Sequence, residues 1–289
     1  MSLAERLDRL IRARVDARPV AGTRILVGVA LLLKLVGSAQ ILGRLVQADT
    51  IKLPVLSWLP PPTPTVATLL LVLWGSAGIC FLLGWRTRAA GALLTFVLAV
   101  QLALDRQTYS NHVYLLALVV ALLTLADAGA AWSLDARGGP RRSVPAWPVF
   151  LLQAQASIVY FFAAVSKLTP DFLSGLALAP FVPVQAGVAL IGLPATATLV
   201  LLLSWAAIPA ELILAVYLWS PRHRRRVALL GICLHIGMVA LLYRMRLDLA
   251  VFAMVMWGLY ILFLPHPLVA RLEGRSAQRE TGDGRHTGR

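Results

Sequence analysis

The sequence predicts an all-α, polytopic helical membrane protein with about eight transmembrane helices and both termini on the cytoplasmic side. Three observations carry that expectation. Of 289 residues, 59% are hydrophobic and only 14% charged, whereas a soluble domain carries roughly a quarter charged residues. Apolar runs recur from end to end, each close to the ~20 residues that cross a hydrocarbon layer. The segments between them are alternately rich and poor in Lys and Arg, as the positive-inside rule requires. Backbone in lipid must satisfy its own hydrogen bonds, which selects helices, and the runs are too continuously apolar for barrel strands.

The elements follow in chain order. Residues 1–23, "MSLAERLDRLIRARVDARPVAGT", lack the short apolar core of a cleavable signal peptide. Leu3, Leu7, Leu10 and Ile11 share one helical face with arginines around them, the pattern of a helix on a membrane surface or of a solvated basic tail. The first span is expected near 25–46. The stretch "LPVLSWLPPPTPT" (53–65) is too rich in proline to be helical and reads as an external loop. Spans near 65–84 and 89–105 are joined by a short inner turn carrying Arg86 and Arg88. The polar run Tyr109, Ser110, Asn111 and His112 then opens a fourth span near 112–131.

Arg137, Arg141 and Arg142 mark the inner side before a fifth span near 147–168, which ends at Lys167. Residues 169–195 are apolar but broken by Pro170, Pro180, Pro183 and Pro194. They read as a loop or short re-entrant helices covered by protein. The sixth, seventh and eighth spans are expected near 196–219, 227–243 and 247–265, with the inner turn marked by Arg222, Arg224, Arg225 and Arg226. "YRMRLD" (243–248) forms the external turn. The tail is charged and contains Gly and Ser, as in disordered segments. The division is therefore a basic amphipathic segment (1–23), a transmembrane domain (24–267) and a disordered basic tail (268–289).

The formal charge of +14 is mostly a topology signal and an attraction to anionic lipid, so nucleic acid is not an expected partner. Cys80 and Cys233 fall inside apolar spans, make no metal-ligand spacing and read as small buried hydrophobes. No inverted repeat of the transporter kind is visible.

Ionisable residues inside spans are expensive and point to function. At 1.5 Å per residue, Lys167 lies ~30 Å from the inner start of its span, at the level where His112 opens the fourth. Gln153, Ser157, Tyr160, Ala164 and Lys167 form one helical stripe. Such a stripe serves as glue between helices or faces a cavity. Lys167 reads either as a snorkelling cation or as a base, and only Lys34, Lys52 and Lys167 are lysines in a chain that otherwise uses Arg. Lys34 and His235 fall ~14 Å from the inner edge, with Glu211 nearer the cytoplasm, so a buried Lys34–Glu211 pair beside His235 is expected.

The motifs "SNHVYL", "WSLDAR" (132–137) and "QAQASIVYFFAAVSKLTPDFLSG" (153–175) resemble the membrane domain of vitamin K-dependent gamma-carboxylase and its shorter bacterial relatives, the horizontally transferred transmembrane (HTTM) domain family. The resemblance implies a base at Lys167 that deprotonates a reduced naphthoquinone. Oxygen then adds, the oxygenated quinone removes a proton from a glutamate side chain, the carbanion takes up carbon dioxide, and the quinone leaves as an epoxide. It places His112 and Asn111 at that site. Lys167 and His112 are thus the candidate catalytic residues. Asn111, Tyr160 and Tyr109 are the candidate cofactor-binding residues, and no metal is implied.

The chain departs from the carboxylase at Ser166, where that enzyme has a second lysine; the vertebrate enzyme carries a large lumenal domain that holds its protein substrate, whereas these 289 residues stop soon after the last expected span. "CLHIGMVALLYRMRLD" follows the family only loosely. The expectation is a cytoplasmic-membrane enzyme that uses menaquinol or vitamin K hydroquinone and oxygen, with carbon dioxide as a further co-substrate, to modify an acceptor at the outer face. Its expected partners are the lipid bilayer, a lipid-soluble quinol and a secreted peptide or protein. The alternative is a non-catalytic membrane partner that docks or matures a secreted peptide.

Overall fold

The computed structural model describes residues 12–139, 143–182, 197–242 and 246–264. The expected surface helix of Leu3, Leu7, Leu10 and Ile11, the stretch 183–196, the first half of the expected external turn and the basic tail lie outside those residues. A three-residue strand β1 (Arg14–Asp16) pairs antiparallel with β2 (Ser143–Pro145), Val15 opposite Val144. Between and after them run α1 (Ala17–Leu45), α2 (Pro64–Leu83), α3 (Thr87–Leu104), α4 (Asn111–Leu125), α5 (Ala146–Ser166), the short α6 (Pro170–Leu173), α7 (Ala197–Tyr217), α8 (Arg224–Leu241) and α9 (Arg246–Ile261). By length and composition α1, α2, α3, α5 and α7 can each cross a membrane. The helices α4 and α9 are apolar but shorter, and α8 opens on Arg224, Arg225 and Arg226.

Local chemistry sets the helix ends. Asp16 caps α1 by accepting from Arg18 N at 2.8 Å, so the helix starts at Ala17 rather than near residue 25. Thr63 caps α2, with Pro64 in the first turn where a missing N–H costs nothing. Gly84 closes α2 at φ 70°, a left-handed conformation that glycine takes without a Cβ clash. The start of α3 is capped from a distance. The Asp135 carboxylate accepts from Arg86 N at 2.7 Å, Thr87 N at 2.8 Å and Thr87 Oγ1 at 2.7 Å. Burial raises the Asp135 pKa, but these hydrogen bonds and the nearby Arg24 charge outweigh it and hold the carboxyl below its ordinary range.

The apolar run expected to continue α4 to residue 131 stops at Leu125. Asp127 takes φ 56° and Trp132 φ 46°, and Ala126, Ala128, Ala130 and Ala131 are buried in protein. Hydropathy alone cannot tell a buried alanine turn from a lipid-facing helix. Arg24, itself fully buried, ties this turn to α1 by donating to the carbonyls of Ala128 and Trp132 at 3.2 and 2.5 Å.

The helix α1 packs against α2, α4 and α9, α3 lies on α2 and α4, and α5 lies against α7, α4 and α9. The helix α8 closes on α7 and α9. Gly28 sits against the backbone of Leu82, the close approach that small residues allow between helices in membranes. At the end of the bundle opposite the sheet, helix ends are uneven. With 15 residues, α4 is about 22 Å long at 1.5 Å per residue, while α1 with 29 residues is about 43 Å. Thr23 Oγ1 donates to Gly258 O at 2.8 Å and Lys34 Nζ meets Asp248 Oδ1 at 2.6 Å. The N-terminal end of α9 thus lies level with the middle of α1. The result is a recess.

Candidate functional site

The helix α5 lines more of the recess than any other helix, and each polar member of its stripe finds a different partner. Gln153 Nε2 donates to Leu262 O at 2.8 Å, and Ser157 Oγ accepts from Trp219 Nε1 at 2.7 Å. The Tyr160 hydroxyl meets His235 Nε2 at 2.7 Å and also the hydroxyl of Tyr260. Ala164 is buried. Lys167 Nζ lies 2.8 and 2.9 Å from the two carboxylate oxygens of Glu211 and 3.1 Å from Ala163 O. The lower stripe is glue between helices, as one reading of the spacing has it. The upper part faces a cavity.

The expected Lys34–Glu211 pair does not form. Lys34, 3% exposed in its side chain, pairs with Asp248, and Glu211 pairs with Lys167. Counting residues from span ends misplaced Glu211. Ser157 on α5 meets Trp219 just past α7, and Lys167 at the C-cap of α5 meets Glu211 on α7, so residues 197–210 of α7 extend past the end of α5. That overhang is partly covered by α6, with Trp205 Nε1 donating to Leu173 O at 3.0 Å. Depth counting assumes helices that begin at one level, and here they do not.

A cavity of about 580 Å³ lies among α4, α5, α7, α8 and α9, and Tyr109, Asn111, His112, Tyr160 and Lys167 all line it. Residues far apart in sequence thus come to one place. Glu211 and His235 line it too. Ser110 caps α4 by accepting from His112 N at 3.3 Å, and its hydroxyl lies 3.5 Å from His112 Nδ1. Phe252 stands edge-on between the two histidines, with ring centres 5.8 Å from His112 and 5.2 Å from His235.

Lys167 and Glu211 also form part of the wall of a second, apolar cavity of about 310 Å³, bounded by Phe172, Leu203, Cys233 and Leu241 among others. Cys233, expected to be buried, is exposed on the α8 surface. A third cavity of about 540 Å³ at the sheet end contains Asp16 and Gln153, both engaged in the hydrogen bonds described above. Among the described residues that line it there is no ion pair, so the chemistry points to the recess.

Sequence reasoning overlooked Glu211 as the partner of Lys167, and it overlooked Tyr260. The missing signal for Glu211 was its place on a helix that continues well past its neighbour. Tyr260 gave no signal, because a tyrosine in an apolar run is usually core. The family model described as "HTTM domain" matches residues 13–266. No solved structure matches the chain.

Proposed function

The chain belongs to the HTTM domain family, and from that membership we propose a cytoplasmic-membrane enzyme that uses a reduced naphthoquinone and oxygen to modify an acceptor. Its family relates it to the membrane domain of the gamma-carboxylase, with carbon dioxide as the further co-substrate by that kinship. In this reading all eight long helices are embedded, both termini are cytoplasmic, and the recess opens at the outer face. The observation that supports it is the convergence of the Lys167–Glu211 pair, His112 and His235 on one cavity of about 580 Å³. That volume falls within the roughly 300–1,000 Å³ of small-molecule sites.

The residues present fit a flat aromatic diol. Tyr109, Tyr114, Phe162 and Phe252 offer aromatic surface, and the polar groups are few and convergent. A bound reduced naphthoquinone supplies the electrons for oxygen chemistry that no side chain here can supply. The protein's part is proton handling. As an ammonium, Lys167 has an acceptor for each of its three protons, two on Glu211 and one on Ala163 O, and carries no lone pair to act as a base. Transfer of one proton from Nζ to a Glu211 oxygen breaks an N–H bond, forms an O–H bond and leaves both groups neutral. A neutral pair avoids the desolvation cost of two buried charges. The amine can then accept a proton at Nζ, which an arginine could not. The base is therefore the pair.

The deciding experiment is to incubate the purified protein in lipid nanodiscs with menaquinol and oxygen and assay for quinone epoxide. Epoxide formation that depends on Lys167 is expected. A folded protein that forms none would overturn the reading.

A further inference from the structure

The hydroxyls of Tyr160 and Tyr260 and the imidazole of His235 form a buried chain that a base at Lys167 does not by itself require. All three side chains are at most 2% exposed. His235 and Tyr160 border the cavity, and Tyr260 does not. Gly231 makes room behind them, because a Cβ there would collide with the Tyr260 hydroxyl and Leu214.

The chain's protons can be assigned. A phenol has one proton to give, and burying a hydroxyl with no acceptor costs free energy. Among the described residues the Tyr260 hydroxyl bonds only with that of Tyr160, and Tyr160 bonds only with Tyr260 and His235 Nε2. If Nε2 carried the proton, Tyr160 would accept it and donate to Tyr260, whose own proton would then have nowhere to go. Every proton is used only in the opposite direction, with Tyr260 donating to Tyr160 and Tyr160 donating to Nε2. An imidazole that accepts at Nε2 carries its proton at Nδ1. Among the described residues Nδ1 has no partner in the chain, and His235 lines the cavity, so Nδ1 is the ring nitrogen left for a ligand.

We infer that His235 is held by Tyr160 and Tyr260 as a fixed hydrogen-bond donor, its Nδ1–H directed at a carbonyl or phenolate oxygen of the cavity's ligand. This deepens the quinone reading and rests on it for the ligand class. A preorganised donor aimed at an oxyanion stabilises developing negative charge. His235 would then take the ligand oxygen that becomes negative while the Lys167–Glu211 pair takes the proton. Phe252 packs edge-on against the imidazole.

The test is nitrogen NMR on the full chain, labelled with 15N-histidine and held in nanodiscs, read first without ligand. A protonated Nδ1 and an unprotonated Nε2 at His235 are expected. The reverse tautomer, or an imidazolium, would overturn the assignment whatever the enzyme's activity. Menadione, a naphthoquinone with two carbonyls, should then shift the Nδ1 signal. Tyr160→Phe should lower menadione affinity about three- to tenfold, the effect of one hydrogen bond, and abolish the single tautomer. An Nδ1 signal that menadione leaves unmoved would overturn the carbonyl recognition. Epoxide formation by the same sample judges the quinol reading separately, and the wild-type tautomer stands even if Tyr160→Phe fails to fold.

Discussion

Lys167 at the end of α5 and Glu211 in the middle of α7 are joined by a two-pronged ion pair, the ammonium lying 2.8 and 2.9 Å from the carboxylate oxygens. Glu211 is only 7% exposed in its side chain and Lys167 23%. A carboxylate so buried is tolerable only with its cation or with a proton.

The first prediction concerns that pair's stability. Lys167→Ala leaves the Glu211 carboxylate uncompensated and should cost about 3–5 kcal/mol unless Glu211 takes up a proton. Adding Glu211→Gln should recover most of the loss. A double-mutant cycle by thermal or denaturant unfolding in detergent measures the coupling, and purely additive losses would show that the two residues do not interact.

Activity should separate base from cation. Lys167→Ala and Lys167→Arg should both abolish quinol oxidation, because arginine keeps its proton, while His112→Ala should lower the rate. Full activity in Lys167→Arg would make Lys167 a positional cation only. Glu211→Gln should also inactivate, since it removes the acceptor for the ammonium's proton.

The Lys34–Asp248 pair should respond asymmetrically. Lys34 is 3% exposed and Asp248 42%. Asp248→Asn strands a buried ammonium and should cost about 3–5 kcal/mol. Lys34→Met leaves a half-exposed carboxylate that water can solvate and should cost about 1 kcal/mol or less. Equal costs would mean that Lys34 reaches water.

Asp135 should give a pH signature at the sheet end. Its carboxyl is held below its ordinary range by hydrogen bonds from Thr87 and Arg86. A depressed folded pKa contributes stability that is fully present above the unfolded value and lost as pH falls through the folded one. Asp135→Asn should therefore cost about 1 kcal/mol at neutral pH, the scale of a lost helix cap, and the gap to wild type should close in strong acid. A gap that persists there would assign the loss to packing.

Topology is tested by labelling. Single cysteines in the 53–65 loop and near Asp171 should react with an impermeant thiol reagent from outside, and one near Arg224 should not, after Cys80 and Cys233 are replaced by Ala. Reversed labelling would turn the recess to the cytoplasm and remove the outer-face assignment.

Much of the architecture was present in the order of residues. Apolar runs marked the positions of eight long helices, with ends such as Pro64, Ser166 and Tyr217 within a residue or two. The cost of exposing backbone in lipid leaves a chain of this composition few other choices. The stripe from Gln153 to Lys167 also followed from helical spacing, and His112 and Lys167 do share a cavity.

Tertiary structure decided the partners. Charge pairing depends on where two helices slide relative to one another, and no local pattern records that offset. The register of α7 against α5 gave Glu211 to Lys167 rather than to Lys34. The shortness of α9 brought Asp248 down to Lys34. Tyr260 joined Tyr160 and His235 only because Gly231, on a different helix, leaves room for its hydroxyl. Hydropathy and spacing are properties of one segment at a time, so they determine which residues become helices and which face is polar. The close packing of several helices determines which polar groups meet, because each buried charge must find its partner within the few ångströms that packing leaves.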